Sequence, residues 1–298
     1  MPDTRFGSRL LPAIAPVLAV SLGACATTQV SGLDGPTPST DPPAWSVSVL
    51  DAALWMQTSS EYSALSRQTW SAAGRMLPIA LADTSWTAAL EQRPGYGTLP
   101  PAVIVDVDET MLDNSPYAAR LIQAREGFSQ ESWSRWVNEA VAREVPGASE
   151  FAQLARQLGI EVFYVTNRNA ELEDGTRRNL LQEGFPAGLA EDVYLLRRER
   201  DEWGSDKTTR RAFVAANYRV LLLAGDDLND FVSGARSGRE PRAALVAQHA
   251  AKWGSKWFVL ANPTYGSWEA ALTFGESGLT REEVVKRKLE ALDPAESR

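Results

Sequence analysis

The stretch that most constrains the fold is residues 103–117, which read VIVDVDETMLDNSPY. It begins with β-branched apolar residues, a pattern typical of a strand buried on both faces of a sheet. The strand cannot continue into the acids that follow, because an unpaired buried carboxylate is very unfavourable. Asp106 and Asp108 are therefore expected on one side of the strand's carboxyl end, where open α/β sheets bind ligands. Taken alone, the pattern also fits a strand that runs into an acidic turn.

Two scarce residue types exclude several kinds of chemistry. Cys25 is the only cysteine, so an intrachain disulfide and a thiolate zinc site are excluded. His249 is the only histidine, which excludes a multi-histidine metal centre. The formal net charge of -8 gives no electrostatic basis for binding nucleic acid. Carboxylate chemistry remains: two converging acids suit a hard divalent cation, or a nucleophile beside a proton donor.

The beginning of the chain predicts export and membrane anchoring. Residues 1–25 combine two arginines with a short apolar run, as signal peptides do. The run ends in Leu-Gly-Ala-Cys, which resembles a bacterial lipobox and predicts a lipid anchor on Cys25. An ordinary signal peptide with an incidental cysteine is the alternative. Residues 26–44, rich in Thr, Ser, Gly and Pro, predict a disordered tether. We therefore expect a lipid-anchored protein of the bacterial cell envelope, on the outer membrane and facing the periplasm or the surface.

The remainder, residues 45–298, predicts an α/β domain. Strands are expected at residues 103–105, 160–166, 193–195, 218–224 and 257–260, and they alternate with helices. This alternation predicts a parallel, Rossmann-like sheet with right-handed crossovers. Before the sheet we expect helices over residues 48–77 and 79–90. The helical segments 45–94 and 113–148 together predict a smaller α subdomain, or cap, above the sheet edge.

Reactive polar residues follow several of these strands. Thr166 and Asn167 end the second strand, and Asp226 and Asp230 follow the fourth. Lys207 stands at the start of a predicted helix, where a positive charge is unfavourable for the helix dipole. Each residue also has a plainer reading as a turn, a helix cap or a surface side chain. Clustered acids repel one another unless a cation is bound, so the pattern favours a metal site.

In this order, the segments resemble the four motifs of the haloacid dehalogenase superfamily, carried by DVDET, Thr166, Lys207 and GDDLND. Residues 106–117, 225–231 and 262–269 resemble more closely the class C acid phosphatases, the bacterial lipoprotein e family. The resemblance covers residue 45 to the end and implies the haloacid dehalogenase fold and a phosphatase domain. Asp227 departs from the family pattern, and its extra charge could compete for the metal.

The resemblance also implies a mechanism through an aspartyl-phosphate. Asp106 is the expected nucleophile, and Asp108 is expected to protonate the leaving group and then to activate water. The cofactor implied is Mg²⁺, with ligands from the Asp106 carboxylate, the Asp108 backbone carbonyl, Asp226 and Asp230. The groups implied for the phosphoryl oxygens are Thr166, Asn167 and Lys207.

The substrate is expected to be a small phosphomonoester, with 5'-nucleotides preferred. Trp133 and Tyr265 are aromatic residues that could stack on a nucleoside base. Core packing is the alternative reading for both. The alternative function is a membrane-tethered binding lipoprotein that has lost catalysis. Asp108 argues against this alternative, because a binding protein needs no proton donor. The oligomeric state is left open, with a homodimer as one option.

Overall fold

The computed structural model describes residues 44–188 and 192–295. The predicted signal peptide, its Cys25 and nearly all of the predicted tether lie outside the described residues. No helix within the described part of the chain is long and apolar enough to cross a membrane.

A parallel five-stranded sheet, in the order β5-β4-β1-β6-β7, forms the centre of the described domain. The strands of this sheet are β1 (Pro101–Val105), β4 (Glu161–Asn169), β5 (Tyr194–Arg197), β6 (Arg219–Gly225) and β7 (Trp257–Val259). A separate antiparallel pair, β2 (Leu112–Asp113) and β3 (Arg143–Glu144), follows the acidic turn after β1. Chain order and sheet order differ, and the sheet has a topological switch point beside β1, where such folds bind ligands. The predicted α/β fold with a parallel, Rossmann-like sheet is confirmed.

Helices cover both faces of the sheet and the region above its carboxyl edge. Their bounds are α1 (Ala44–Thr58), α2 (Ser60–Ala82), α3 (Ser115–Ala124), α4 (Gln130–Glu139), α5 (Ala148–Gln157), α6 (Glu173–Gln182), α7 (Thr208–Asn217), α8 (Arg239–Gln248), α9 (Ser267–Ala270) and α10 (Arg281–Glu290). Residues of β1, β4 and β6 are almost completely buried between these layers. The carboxyl ends of the three strands therefore meet in one place, above the middle of the sheet.

The helix boundaries before β1 differ from the prediction. The expected helix at 48–77 is two helices, because Ser59 interrupts it and caps α2 by accepting a hydrogen bond from the Tyr62 backbone N–H at 3.1 Å. The expected second helix at 79–90 is wrong. α2 continues through Pro78 to Ala82, because burial of Leu77 and Ala80 outweighs the hydrogen bond that a proline removes.

The helical segment before β1 contacts both the sheet and the helical segment after β1. α1 packs against α3, whereas α2 packs against α5 and β6. Trp70 and Leu77 of α2 belong to the same hydrophobic core as the central strands. The predicted smaller α subdomain stays a prediction, and the packing of α2 joins that helix to the main core.

Candidate active site

The two acids of the first motif lie at the carboxyl end of β1. The Asp106 backbone N–H still donates to the Ala224 carbonyl of β6 at 3.0 Å, so Asp106 extends the strand and its side chain is buried. The chain then turns tightly, with the backbone N–H groups of Met111 and Leu112 both donating to the Val107 carbonyl at 2.9 Å. Because of this turn, Asp108, two residues after Asp106, also lies at the carboxyl end of β1.

The acids after β6 are positioned by a short helical turn, Leu228–Asp230. Asp230 Oδ2 accepts a hydrogen bond from the Asp227 backbone N–H at 2.9 Å, which folds the carboxylate back over the strand end. Gly225 is required here because a β-carbon at this position would overlap the Asp230 carboxylate. The sequence GDDLND therefore directs Asp230 towards β1 instead of into solvent.

Asp106, Asp226 and Asp230 form an acidic cluster that is fit to hold a cation. One carboxylate oxygen of each lies within 4.8 Å of those of the others. Burial raises the pKa of all three acids, for Asp230 to about 7, and the charge of Asp106 adds to the shifts of Asp226 and Asp230. A divalent cation would relieve this repulsion and offers the hard oxygen-ligand chemistry that carboxylates satisfy. The Asp108 carboxylate is not part of this cluster, and its predicted ligand is the backbone carbonyl.

Lys207 supplies the positive charge of the site. Its Nζ pairs with Asp106 Oδ1 and lies 2.6 Å from Asp230 Oδ1. Burial alone would lower the pKa of Lys207, but the charges of Asp106 and Asp230 outweigh burial and raise it. The ammonium therefore stays charged, and it bridges the acid of β1 to the acid after β6. Lys207 immediately precedes α7, where a positive charge interacts unfavourably with the helix dipole, as the sequence predicted.

Asp108 is held by a different cation, Arg168, which the sequence analysis did not assign. Arg168 Nη2 and Nε donate to Asp108 Oδ1 at 2.8 and 3.0 Å. Asn114 Nδ2 donates to the same oxygen at 2.9 Å. Thr166 is fully buried, and its hydroxyl donates to Asp108 Oδ2 at 3.4 Å. The structure thus brings Thr166 beside Asp108, and its predicted contact to a phosphoryl group stays a prediction.

Glu109 is a further buried acid whose role the sequence did not reveal. It adopts a left-handed backbone with φ 56°, unusual for a residue with a side chain. Its Oε1 accepts from the Asn114 backbone N–H at 2.8 Å, and Oε2 accepts from the Tyr265 hydroxyl. Burial, together with the nearby Asp108, raises the pKa of Glu109 to about 8. Glu109 thereby links the acidic turn to the NPTYGSWE segment.

Asp227 is occupied by hydrogen bonds and does not join the acidic cluster. Its Oδ1 accepts from the Ser267 hydroxyl at 2.7 Å and the Asn229 backbone N–H at 2.9 Å. Its Oδ2 accepts from the Ser267 backbone N–H at 2.7 Å. Burial would raise the pKa of Asp227, but these hydrogen bonds together lower it. Asp227, the acid that departs from the family pattern, therefore holds Ser267 close to the carboxyl end of β6.

Asn167 faces the cleft and is fixed by Arg210. The fully buried Arg210 donates through Nη2 to Asn167 Oδ1 at 2.7 Å and to the Gly204 carbonyl at 2.8 Å. Asn167 Nδ2 donates to the Ser205 carbonyl at 3.1 Å. Burial lowers the pKa of Arg210 to about 10, still far above neutrality. Its position in KTTRR, three residues after Lys207, was a signal that sequence reasoning left unused.

A cleft of about 790 Å³ opens over these residues. Asp106, Asp108, Asn167 and Lys207 line its floor, with Asp226 and Asp230 beside them. Tyr265 lines the wall, and the residue as a whole is 45% exposed. Trp133 is not among the lining residues: its ring packs edge-on against Tyr117 and beneath the Arg168 guanidinium, 5.6 Å from the ring centre.

The fold and these residues define a protein of the haloacid dehalogenase superfamily. Residues 40–268 match the family described as HAD superfamily, subfamily IIIB (Acid phosphatase). The match covers most of the chain, so the protein belongs to this family and stands among enzymes that hydrolyse phosphomonoesters. The resemblance stated from the motifs is confirmed.

Individual relatives agree with this family. The class C acid phosphatase from Bacillus anthracis is 30% identical, with a TM-score of 0.73 over 84% of this chain and 98% of that one. The same enzyme has also been solved with tungstate bound, and the likeness is equal. Acid phosphatase 1 of Solanum lycopersicum is 30% identical over 46% of this chain and 54% of its own length. The stem 31 kDa glycoprotein of Glycine max is 24% identical over 54% and 58%. The chain thus spans little more than half the length of the curated relatives.

Proposed function

We propose that the protein is a magnesium-dependent acid phosphatase that acts through an aspartyl-phosphate on Asp106. The observation that carries this proposal is the position of the Asp106 carboxylate. It lies on the cleft floor, paired with Lys207 and within the acidic cluster of Asp226 and Asp230. A nucleophilic carboxylate needs positive charge around it when it meets a phosphoryl group, since both are anionic.

In the first step, an Asp106 oxygen forms a bond to phosphorus in line with the leaving oxygen. The bond between phosphorus and the leaving oxygen breaks, and Asp108 gives that oxygen a proton. Lys207, with the amide of Asn167, neutralises and orients the phosphoryl oxygens. In the second step, Asp108 takes a proton from water and the water oxygen bonds to phosphorus. The bond between phosphorus and the Asp106 oxygen breaks, which regenerates the Asp106 carboxylate and releases inorganic phosphate.

The acidic cluster is the proposed Mg²⁺ site. Asp106, Asp226 and Asp230 would hold the ion together with the Asp108 backbone carbonyl, and this set of few carboxylates suits Mg²⁺. When bound, the ion neutralises charge on the phosphoryl oxygens during transfer. Tungstate, which is bound in one of the Bacillus anthracis structures, is a tetrahedral oxyanion like phosphate, and its binding is consistent with an oxyanion site in this family.

Nucleotides are the proposed substrates. Tyr265 supports this because the residue lines the cleft while its hydroxyl donates to Glu109. A ring fixed in this way offers a face for a nucleoside base. Trp133 gives weaker support, since its ring is engaged by Tyr117 and Arg168.

We also propose that the enzyme is anchored in the cell envelope through a lipid on Cys25. The support is the sequence Leu-Gly-Ala-Cys after the apolar run. Replacing Cys25 with Ser should abolish lipid labelling and release soluble protein. Unchanged partitioning of that variant into membranes would refute the anchor.

The central test is phosphate release from p-nitrophenyl phosphate by the purified protein. We expect turnover with Mg²⁺, loss after chelation, and recovery when Mg²⁺ is returned. Asp106→Asn should be inactive under all three conditions. Exposed Asp201, which is outside the cleft, gives the matched control Asp201→Asn. No release by folded protein supplied with Mg²⁺ would instead favour a binding lipoprotein.

A further inference from the structure

One charged side chain of the cleft has no partner and no role in the proposed reaction. Asp106 and Asp230 pair with Lys207, and Asp108 pairs with Arg168. The three remaining acids of the lining also have partners: Asp226 accepts from Asn262, Asp227 accepts from Ser267, and Glu269 pairs with Lys288. Among the described residues, Arg236 is the charged lining residue for which no hydrogen bond or ion pair exists.

Arg236 is separated from the acids on the cleft floor. A salt bridge would form if its guanidinium came within 4.0 Å of one of their carboxylates, and none is present among the described residues. The cleft, at about 790 Å³, is also far larger than one phosphoryl group and has room for a leaving group. The cleft therefore has space in which Arg236 can contact a part of the ligand other than the phosphoryl group that Asp106 attacks.

A second polar group beside Arg236 also lacks a partner. Ser237 lines the same cleft, and its hydroxyl oxygen is buried without a hydrogen bond among the described residues. A buried hydroxyl without a hydrogen-bond partner is unfavourable, so we expect a ligand or a water molecule to form a hydrogen bond with it. A guanidinium and a hydroxyl on adjacent residues together form a donor set suited to carboxylate or phosphate oxygens.

The electrostatic surroundings favour an anion at this position. Arg197 is the last residue of β5, and Arg198 follows it. Burial, and then the nearby charges of Arg198 and Arg236, lower the pKa of Arg197, so these three cations lie close together. The chain as a whole carries a formal charge of -8, which would repel an additional anion elsewhere on the surface.

We propose that Arg236 and the Ser237 hydroxyl form a subsite for a second anionic group on the leaving group of the substrate. The inference rests on the proposed phosphatase function and narrows its substrate class. Among the proposed nucleotide substrates, the subsite favours those that carry a second phosphate away from the ester that is cleaved, and a carboxylate at the same place would bind in the same way. Arg236 acts in binding and takes no part in the transfer step.

The kinetic test compares 4-carboxyphenyl phosphate with its neutral isostere, 4-carbamoylphenyl phosphate. Replacing Arg236 with Gln should raise KM for the carboxylate about tenfold relative to the carboxamide, as for a partly exposed charge-assisted hydrogen bond. Arg236→Lys should recover part of the difference. The matched control is Arg239→Gln, an exposed arginine three positions away that does not line the cleft. Equal losses on both substrates would overturn the inference, because Arg236 would then serve the transferred phosphoryl group or the fold.

A binding measurement keeps this result separate from the proposed function. Calorimetry with 4-carboxybenzylphosphonate and its carboxamide needs no turnover. With Mg²⁺ present, Arg236→Gln should weaken the carboxylate about tenfold more than the carboxamide. Identical weakening of both ligands, or none, would refute the subsite even in an active phosphatase. Failure of the wild-type protein to hydrolyse phenyl phosphate would refute the proposed function, while the phosphonates still decide the role of Arg236.

Discussion

The Arg168 guanidinium holds the Asp108 carboxylate through two donors, with Nη2 2.8 Å from Oδ1 and Nε 3.0 Å from the same oxygen. Arg168 is 2% exposed, and it also donates to the Thr176 hydroxyl at 3.1 Å and lies over the Trp133 ring. Its position is therefore set by α4 and α6, and it fixes the orientation of Asp108. We infer that Arg168 is a positioning residue that acts through Asp108.

Replacing Arg168 with Gln should therefore impair the reaction in a way that depends on the leaving group. Alkyl phosphates need protonation of the leaving oxygen, so their kcat should fall most, by about 10–100-fold, which is part of the usual effect of a general acid. Aryl phosphates with good leaving groups should lose less. Steady-state kinetics over a series of leaving groups measures the difference.

Two controls separate positioning from general damage. Arg168→Lys keeps the charge but not the bidentate geometry, and we expect it to recover only part of the activity. Arg135→Gln removes an exposed arginine of α4 and should leave the kinetics unchanged. A loss for Arg168→Gln that is uniform across all leaving groups, in protein that is still folded by circular dichroism, would contradict the positioning role.

Tyr265 and Trp133 should behave differently as substrate contacts. Tyr265 lines the cleft, so Tyr265→Ala should weaken nucleoside monophosphates relative to glycerol phosphate by about 1–3 kcal/mol, the range for stacking on one base. Tyr265→Phe keeps the ring and should retain most of this discrimination. Comparison of kcat/KM for the two substrate classes measures it.

Trp133→Ala provides the contrast. Because its ring contacts Tyr117 and Arg168, we expect a similar loss on nucleotides and on glycerol phosphate. A loss of kcat/KM confined to nucleotides would instead support the base-binding role that the sequence predicted for Trp133. If Tyr265→Ala affects both substrate classes equally, its ring serves packing alone.

Gly225 should tolerate no side chain. A β-carbon there would overlap the Asp230 carboxylate, which must then move away from Lys207 and from the Asp227 backbone N–H. We expect Gly225→Ala to destabilise the fold by about 1–3 kcal/mol, as overpacking does, and to weaken the affinity for Mg²⁺. Urea unfolding and a Mg²⁺ titration of activity measure the two effects.

Gly204 offers the matched control for this substitution. A β-carbon at Gly204 would meet no atom within 4 Å, and its backbone is not left-handed. Gly204→Ala should therefore be close to neutral in both measurements. If Gly225→Ala changes stability and Mg²⁺ affinity as little as Gly204→Ala does, the position of the Asp230 carboxylate does not require a glycine at residue 225.

The fold and the acids of the site could be predicted because their signals are local. A short apolar run followed by acids fixes where β1 ends, and the GDD after β6 places Asp226 at the same edge. Arg168, by contrast, is assigned only by its partner Asp108, which is 60 positions away in the chain. Glu109 stood in the DVDET motif, yet its contact with Tyr265 spans 156 positions. Such pairings are tertiary, and no spacing pattern within one segment reports them.

The same reason explains the misplaced helix after residue 79. Pro78 predicts a helix break by local propensity, so a second helix was expected to begin at residue 79. The structure extends α2 to Ala82 because Leu77 and Ala80 are completely buried in the core. Trp86 then leaves the helix and donates its indole N–H to the Leu221 carbonyl at 2.8 Å. Burial against β6, which local sequence does not encode, decided both features.

The division of labour between Asp106 and Asp108 is the sharpest test of the mechanism. Asp106→Asn removes the nucleophile and one charge of the acidic cluster, so turnover should vanish for every substrate. Asp108→Asn retains the backbone carbonyl and the contact with Asn114 but loses the proton donor. Its loss should be largest for alkyl phosphates, about 10²–10⁴-fold, and smaller for aryl phosphates.

Asp108→Asn should also slow the second step, because the same carboxylate takes the proton from water. The phosphorylated form of Asp106 is then expected to accumulate during a short incubation with an aryl phosphate and Mg²⁺. Acid quench followed by mass spectrometry should find a phosphoryl group on the peptide that contains Asp106, and none in the Asp106→Asn variant. Equal behaviour of the two variants across leaving groups, with no phosphorylated peptide in either, would show that the roles are wrongly assigned even in an active phosphatase.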